Sequence, residues 1–292
     1  MNSTKIAIQG GRASFHDLAA CQAFPNHRVE IIPCGTFRKQ MQTLVESAAD
    51  YAVMAIENTL AGSILPNYGL LERSSVTIIG EVYLRIEQNL MALPGQKLAD
   101  IEFVKSHPMA LHQCSDFLEA HPHLRGVETD DTAESAREIR EQNQKGAAAI
   151  ASALAAEVYE LKILAASIEN IKENYTRFLV LSRTNGAPPV SPSANKASLR
   201  FNVLHKVGAL AQVMNVFRDN GLNVCLIQSI PIPGKPDEYS FHVDVEWLER
   251  PDYDEAIKEL AGVTRHLKIL GEYKSGSKPY LTSMIAGATK QK

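Results

Sequence analysis

The chain has 292 residues, of which 45% are hydrophobic and 22% charged, and its formal net charge is −3. This is the composition of an ordinary globular protein long enough for two or three domains. The charge offers no whole-chain attraction for nucleic acid or an anionic membrane, though a few local Arg and Lys can reverse the field inside a cleft for a small anion.

The first ~183 residues alternate strand-like and helix-like pieces, which predicts an α/β region with largely parallel pairing. Strands are expected at Lys5–Gln9, Val29–Pro33, Tyr51–Ile56, Val76–Glu81, Phe103–Ser106, Ala147–Ala151 and Phe178–Leu181. Helices are expected at Phe15–Phe24, Phe37–Ala48, Leu65–Ser74, Ala110–His121, Ala133–Gln144 and Ala153–Tyr159. Residues 184–193 hold three prolines with little to bury and read as a linker. Beyond it the order is βαββαβ, over Ser198–Leu204, Ala209–Asp219, Asn223–Pro231, Glu238–Val245, Asp254–Ala261 and His266–Glu272. That order fits a small ferredoxin-like module.

Cys21, Cys34, Cys114 and Cys225 have no paired spacing and read as buried thiols of a reducing compartment. The first five residues contain no basic n-region or apolar h-region, and no stretch approaches the ~18 apolar residues of a membrane helix. A cytoplasmic protein is expected, without membrane or nucleic-acid partners. The histidines at 107, 112, 121 and 123 fit no H-E-x-x-H or Cys/His set, so no metal is expected.

Polar groups gather at a series of junctions, three of which, Ala55–Thr59, Val104–Pro108 and Asn174–Phe178, adjoin short apolar runs. Gly10-Gly11-Arg12-Ala13-Ser14-Phe15-His16 opens a helix, where backbone N–H groups suit an anion and Ser14 can cap. No GxGxxG is present, so a dinucleotide fold is not indicated. Glu57-Asn58-Thr59 with Gly62 follows the third strand; Glu57 reads as an acceptor that orients Asn58 or Thr59. Ser106-His107-Pro108 follows the fifth, with Pro108 placed to start a helix. At Asp130-Asp131-Thr132-Ala133, Thr132 is expected to cap a helix, the carboxylates favouring its positive end. Asn174-Tyr175-Thr176-Arg177-Phe178 precedes the last strand of the region. Its neutral donor beside a fixed cation suits a small anionic substrate whose leaving group needs a proton. Together these junctions predict one shared crevice.

These residues resemble the prephenate dehydratase family over almost the whole chain. The resemblance rests on Gly10–Ala20, Ile56-Glu57-Asn58-Thr59 with Gly62, Ser106-His107-Pro108 with Gln113-Cys114, Asp131-Thr132-Ala133, Ala148–Ala156 with Tyr159-Glu160-Leu161, and Asn174–Phe178. It implies a two-lobed, type II periplasmic-binding-protein-like catalytic region (1–183), with lobe one at about 1–76 and 167–183 and lobe two at 77–166. A linker (184–196), an ACT regulatory domain (197–275) and a tail (276–292) would follow. The implied reaction is decarboxylating dehydration of prephenate to phenylpyruvate, CO2 and water, with no cofactor. Thr176, Arg177, Glu57 and Asn58 would be catalytic. Ser14, Phe15, Thr59, Gly62, Ser106, His107, Gln113, Thr132, Asn174 and Phe178 would line the dianion's site.

The resemblance also implies feedback by L-phenylalanine at paired ACT modules of a homodimer or homotetramer, through Gly208, Ala209, Leu210, Asn223, Gln228 and Ser229. Three departures stand out. Gly11-Arg12 occupies a position where the family usually has proline and an acidic or variable residue. Thr59 replaces serine, and Gln228-Ser229-Ile230-Pro231 replaces Glu-Ser-Arg-Pro. The rival readings are arogenate dehydratase and a non-catalytic two-lobed amino-acid sensor. A fused chorismate mutase is not expected, because the first strand begins at residue 5.

Overall fold

The structure, a computed structural model, describes residues 3–232, 234–235 and 238–279. In chain order the elements begin β1 (Thr4–Gln9), α1 (Phe15–Ala23), β2 (Val29–Cys34), α2 (Phe37–Val45), β3 (Tyr51–Asn58), β4 (Gly62–Ser63), α3 (Leu65–Arg73) and β5 (Val76–Arg85). Next come β6 (Asn89–Ala92), β7 (Phe103–Ser106), α4 (Pro108–Gln113), α5 (Ser115–Glu119), β8 (Arg125–Glu128), α6 (Thr132–Glu141), β9 (Ala147–Ala151), α7 (Ala153–Val158), β10 (Lys162–Ala165) and β11 (Tyr175–Arg183). The last part holds β12 (Lys196–Asn202), α8 (Ala209–Asp219), β13 (Asn223–Pro231), β14 (Tyr239–Glu246), α9 (Arg250–Val263) and β15 (Arg265–Tyr273). Two compact units result: residues 3–62, 83–178 and 278–279 in one, 63–82 and 179–277 in the other.

The first unit contains two sheets. One has the order β2-β1-β3-β11-β5, with residues 175–178 of β11 and 83–85 of β5 in this unit. There β1 pairs in parallel with β2 and β3. The other has the order β10-β6-β9-β7-β8. Its central strand β9 is entirely buried: Ala147, Ala149 and Ala151 pack with Ala133 and Ile139, while Ala148 and Ile150 pack with Val104 and Ile168. Period-two alternation thus serves two cores from one short strand.

The chain crosses from the first sheet to the second at residues 86–88 and returns at 166–174. The crossings are tied: Ile86 N donates to Asn174 O at 2.7 Å, Ile168 N to Gln88 O at 2.8 Å, and Gln88 N to the buried Glu169 carboxylate at 2.9 Å. Two α/β lobes joined by two crossings form the type II periplasmic-binding-protein-like architecture. The lobe limit expected at residue 76 is corrected, because Val76–Arg85 continues as one strand of the first sheet.

Other local expectations change as well. The helix expected over Ala110–His121 is two helices broken at Cys114, where Asn170 N takes the Gln113 carbonyl at 2.7 Å and its side chain engages Ser115 and Asp116. Asp131, not Thr132, caps α6, accepting from Glu134 N at 2.9 Å. Strand β11 begins at Tyr175, so Tyr175–Phe178 lie inside the strand and not before it. The sequence reading missed β6, β8 and β10, each four residues long; β8 is exposed throughout and carries no apolar alternation.

In the second unit, the antiparallel order β13-β14-β12-β15 with α8 and α9 is the expected ferredoxin-like βαββαβ. Leu199, Phe201, Val213, Phe217, Val243 and Leu260 form its core beneath the helices. The opposite sheet face is covered by α3 and β5: Tyr68 meets His242 edge-on at 5.2 Å, and Arg200 pairs with Glu72. Lys196 Nζ reaches both Glu81 carboxylate oxygens, at 2.9 and 3.1 Å, with the two side chains 1% and 0% exposed. A Cβ on Gly271 would lie 2.0 Å from the Ile78 carbonyl oxygen, so glycine permits this close approach. The stretch 184–196, expected to link separate bodies, therefore joins segments of one unit. Of the expected tail, residues 280–292 lie outside the described residues.

Candidate active site

At the start of β11, Thr176 is only 8% exposed and accepts a hydrogen bond from Asn58 Nδ2 at 3.0 Å. The Asn58 amide has a single sensible orientation, because its Oδ1 accepts from the N–H groups of Leu60 and Ala61 at 3.0 and 2.9 Å. Its Nδ2 also donates to Asn174 Oδ1 at 2.7 Å and to Tyr175 O at 3.2 Å. Asn174 must then present its own Nδ2 outward, and this donates to Gln113 Oε1 at 3.0 Å. A directional amide chain therefore runs from α4 of the second lobe, through the return crossing, to β3 and β11 of the first. Because Thr176 Oγ1 is the acceptor of that chain, its own hydrogen is left to donate elsewhere.

Thr59 lies beside this chain but is engaged. Its hydroxyl donates to Glu173 O at 3.0 Å and accepts from Tyr175 N at 2.9 Å. Glu57 is half-buried and is not among the groups that orient Asn58, which corrects that expectation. Gly62, at φ +78°, ends the same loop. Successive strand residues face opposite sides, so the buried Arg177 is turned away from the Thr176 face, whereas Phe178 shares it.

Beneath Phe178 is His16, edge-on at 5.0 Å, with its Nε2 accepting from Ala55 N at 3.4 Å. Desolvation lowers its pKa to about 4, so the ring is neutral at neutral pH. Sequence reading quoted His16 within a motif but gave it no role.

Ser14 is buried and caps α1, accepting from Asp17 N at 3.3 Å; Phe15 begins that helix. The loop leading to them is clasped by the second lobe. Ser152 Oγ donates to Ala13 O at 2.7 Å, the Tyr159 hydroxyl donates to Arg12 O at 3.1 Å, and Ala13 is buried in the second lobe's core. Asp131 Oδ2 lies 2.5 Å from where a Cβ on Gly10 would sit, and burial raises that carboxyl's pKa. Thr132 is the half-buried first residue of α6.

The third junction contributes less than the sequence implied. The Ser106 hydroxyl donates to Ile150 O at 2.7 Å inside the second sheet. His107 is exposed and caps α4 by accepting from Met109 N at 3.2 Å. Gln113, five residues beyond Pro108, is the residue of that region that reaches the amide chain. The structure thus joins Gln113, Asn174, Asn58 and Thr176 directly, with Thr59 beside them, and leaves Ser106 and His107 in capping and sheet-bracing roles.

In the second unit, Gly208 stands at φ +79° before α8. A hollow of about 450 Å³ is lined by residues 203–207, Ala209, Leu210, Tyr239 and Phe241. Asn223, Gln228 and Ser229 lie on edge strand β13 and are not part of that lining; Gln228 Nε2 donates to Ser229 O at 3.0 Å.

A two-lobed α/β fold with a lobe-spanning chain of neutral amides ending on a hydroxyl is suited to holding a small polar ligand. The family profile described as prephenate dehydratase matches residues 6–186, and the chain belongs to that family. It is 35% identical over 278 residues to the bifunctional chorismate mutase/prephenate dehydratase of Enterobacter agglomerans, covering 94% of this chain and 71% of the relative. It is 34% identical to the bifunctional N-acyl-homoserine lactone acylase/prephenate dehydratase of Komagataeibacter europaeus, covering 94% and 97%. The crystal structure of prephenate dehydratase from Arthrobacter aurescens in complex with L-Phe superposes with a TM-score of 0.82 at 27% identity, covering 93% of this chain and 90% of that one.

The protein is therefore a lyase of phenylalanine biosynthesis that converts prephenate to phenylpyruvate, CO2 and water. The electron pair of the breaking ring–carboxylate bond passes through the ring and expels the ring hydroxyl, which leaves with one proton as water. Aromatisation supplies the driving force. No helix among the described residues is long and apolar enough to cross a membrane.

Proposed function

We propose that Thr176 is the hydrogen-bond donor to the departing ring hydroxyl of prephenate. The observation that carries this reading is the 3.0 Å bond from Asn58 Nδ2 to Thr176 Oγ1, which makes that oxygen an acceptor and leaves its proton available for a substrate. Threonine is a poor acid in bulk water, so it acts as a preorganised donor in a site poor in water. Asn58, Asn174 and Gln113 hold it. Ser14, Phe15, Thr59, Gly62, Thr132 and Phe178 shape the surrounding walls, with Ser106 and His107 bracing the second lobe behind them. Glu57 and Arg177 act from beside and behind: Arg177 braces β11 and supplies positive potential to the dianion. A strong cationic grip on the ring carboxylate would stabilise the ground state and oppose decarboxylation, so that carboxylate sits away from guanidinium groups. Purified protein incubated with prephenate and, separately, with arogenate tests the reading. Phenylpyruvate formation from prephenate, faster than phenylalanine formation from arogenate, is the expected result; turnover of neither would leave the sensor reading standing.

The catalytic region corresponds to residues 1–183 and the regulatory ACT domain to 197–275, with 184–196 between them. L-phenylalanine is the effector, its apolar ring suited to the hollow beside Gly208, Ala209 and Leu210. Asn223, Gln228 and Ser229 reach it from a second copy joined along β13, which is an edge strand of its sheet among the described residues. A homodimer or homotetramer in the cytoplasm follows from this reading. Calorimetry with phenylalanine and sedimentation of the intact protein test both halves; a monomer that ignores millimolar phenylalanine overturns them. Point variants are preferable to truncation near Arg183, since removing Lys196 strands the buried Glu81 carboxylate.

A second activity is favoured by one observation: the Komagataeibacter relative, of nearly the same extent as this chain, is named as an acylase as well. Incubation with an N-acyl-homoserine lactone, followed by detection of the free acid, decides it.

A further inference from the structure

Arg12, the residue at which this chain departs from the family pattern, takes no part in the crevice described above. Among the described residues its hydrogen bonding is through its carbonyl, the acceptor of the Tyr159 hydroxyl. Its exposed side chain lines a hollow of about 550 Å³ on the first unit, between α1, β2 and α7. Arg28, also exposed, lines the same hollow from the residue preceding β2. Neither guanidinium has an ion-pair partner among the described residues.

The two carboxylates that share the hollow are already engaged. Asp17 accepts from Ala13 N at 2.7 Å and from the Cys21 thiol at 3.7 Å. Glu30 accepts from the Ser3 hydroxyl at 2.7 Å. The remaining wall is apolar: Val29 and Ile31 of the edge strand β2 belong to the first lobe, Leu154 and Val158 of α7 to the second. Two uncommitted guanidinium groups beside an aliphatic wall match a ligand with one anionic head and an apolar body. Guanidinium forks favour a planar carboxylate, to which they donate in pairs.

We propose that this hollow is a second small-molecule site, which takes an amphipathic monocarboxylate between Arg12 and Arg28 with its apolar body against Val29, Ile31, Leu154 and Val158. Because the wall draws on both lobes and Arg12 lies in the loop clasped by Tyr159, an occupant would contact both lobes at once.

The test is calorimetry on the full chain with octanoate as probe, and with octylamine and inorganic phosphate as controls. Octanoate is expected to bind in the millimolar range or better, with octylamine and phosphate weaker, since each lacks one half of the match. Arg28→Ala and Arg12→Ala are each expected to weaken octanoate by about tenfold or more, the scale of a lost charge-assisted hydrogen bond, and Arg28→Lys by less. Thr176→Ala, which alters the crevice, is expected to leave octanoate affinity unchanged. Prephenate turnover by Arg28→Ala should stay within about twofold of the parent, as for an exposed residue remote from the amide chain. No octanoate binding at millimolar concentration, or equal binding by a folded Arg12→Ala/Arg28→Ala protein, overturns the site. Loss of octanoate binding in Thr176→Ala would place the probe in the crevice and equally overturn it.

Discussion

Asn58 donates its side-chain amide to Thr176 Oγ1 at 3.0 Å while its own oxygen is fixed by the N–H groups of Leu60 and Ala61. This relationship makes the threonine oxygen an acceptor and leaves its proton to be donated elsewhere, and it joins the end of β3 to the start of β11, 118 residues apart in sequence.

Thr176→Ala is expected to fold normally and to lose about 10²–10⁴ in turnover, the usual scale for a positioned proton donor. Thr176→Ser should retain part of the rate, since the donor survives while rotamer control weakens. Single-turnover measurements with prephenate check both, and near-parental turnover by a folded Thr176→Ala would falsify the assignment.

Along the amide chain the effect should decay with distance from the hydroxyl. Asn58→Ala frees the Thr176 rotor and leaves the Leu60 and Ala61 N–H groups without their acceptor, so a loss of about 10–100-fold in kcat is expected. Gln113→Ala removes only the far acceptor of Asn174 and should cost less. A Gln113 variant worse than the Asn58 one would mean that Gln113 touches substrate itself.

Gly10 is held at φ +88°, and a Cβ there would meet Asp131 Oδ2 at 2.5 Å. Gly10→Ala combines backbone strain with a steric conflict, and about 1–3 kcal/mol of lost stability is expected. Gly10→Ala/Asp131→Ala should be less damaging than the sum of the single changes, because only the strain and the lost cap remain. Denaturant titration of the four proteins checks this; strict additivity would show that the two groups do not meet.

The buried Lys196–Glu81 pair predicts an asymmetry between single and double changes. Lys196→Met alone removes the cation facing the buried Glu81 carboxylate, which keeps its bond from Gly276 N at 2.9 Å, and should cost about 3–5 kcal/mol, whereas Lys196→Met/Glu81→Leu should recover much of that loss. Denaturant midpoints are the measurement. A double variant as unstable as the single one would argue that Glu246, 3.5 Å from Lys196 Nζ, is the controlling partner.

Acid should destabilise the fold in a defined window. His16 and His242 both have pKa values lowered to about 4, chiefly by desolvation, from an ordinary 6.5. The unfolded chain therefore binds more protons between those values, so stability is fully present above about pH 6.5 and falls as pH drops toward 4. His242 Nε2 is buried without a hydrogen-bond partner among the described residues, and its ring packs edge-on against Tyr68. His242→Phe keeps that packing and should flatten the pH dependence of the melting temperature between pH 6.5 and 4. An unchanged slope would remove His242 from the account.

What the sequence by itself determined was local and periodic. Apolar runs and helix starts located the strands from β1 to β3 and the βαββαβ order of the C-terminal module, because burial on one or two faces writes itself into two- and 3.6-residue periods. The motif residues Asn58, Asn174 and Thr176 were legible as site members because they are polar at strand ends, whereas Gln113, in a helix, was marked by the family resemblance alone. Only the tertiary structure decided what each one does. Ser106 and His107 looked equal to Asn58 in sequence, yet their side chains are spent on Ile150 and Met109 of their own lobe. Cys114 sits in an unbroken helical pattern, yet Asn170 from the return crossing ends the helix there. The attachment of the C-terminal sheet to α3 and β5 had no sequence signature, since its contacts, Lys196 with Glu81, Arg200 with Glu72, Tyr68 with His242 and Gly271 against Ile78, join residues more than a hundred positions apart. Hydrogen-bond partnership is set by three-dimensional distance and direction, and a single chain read in order carries neither.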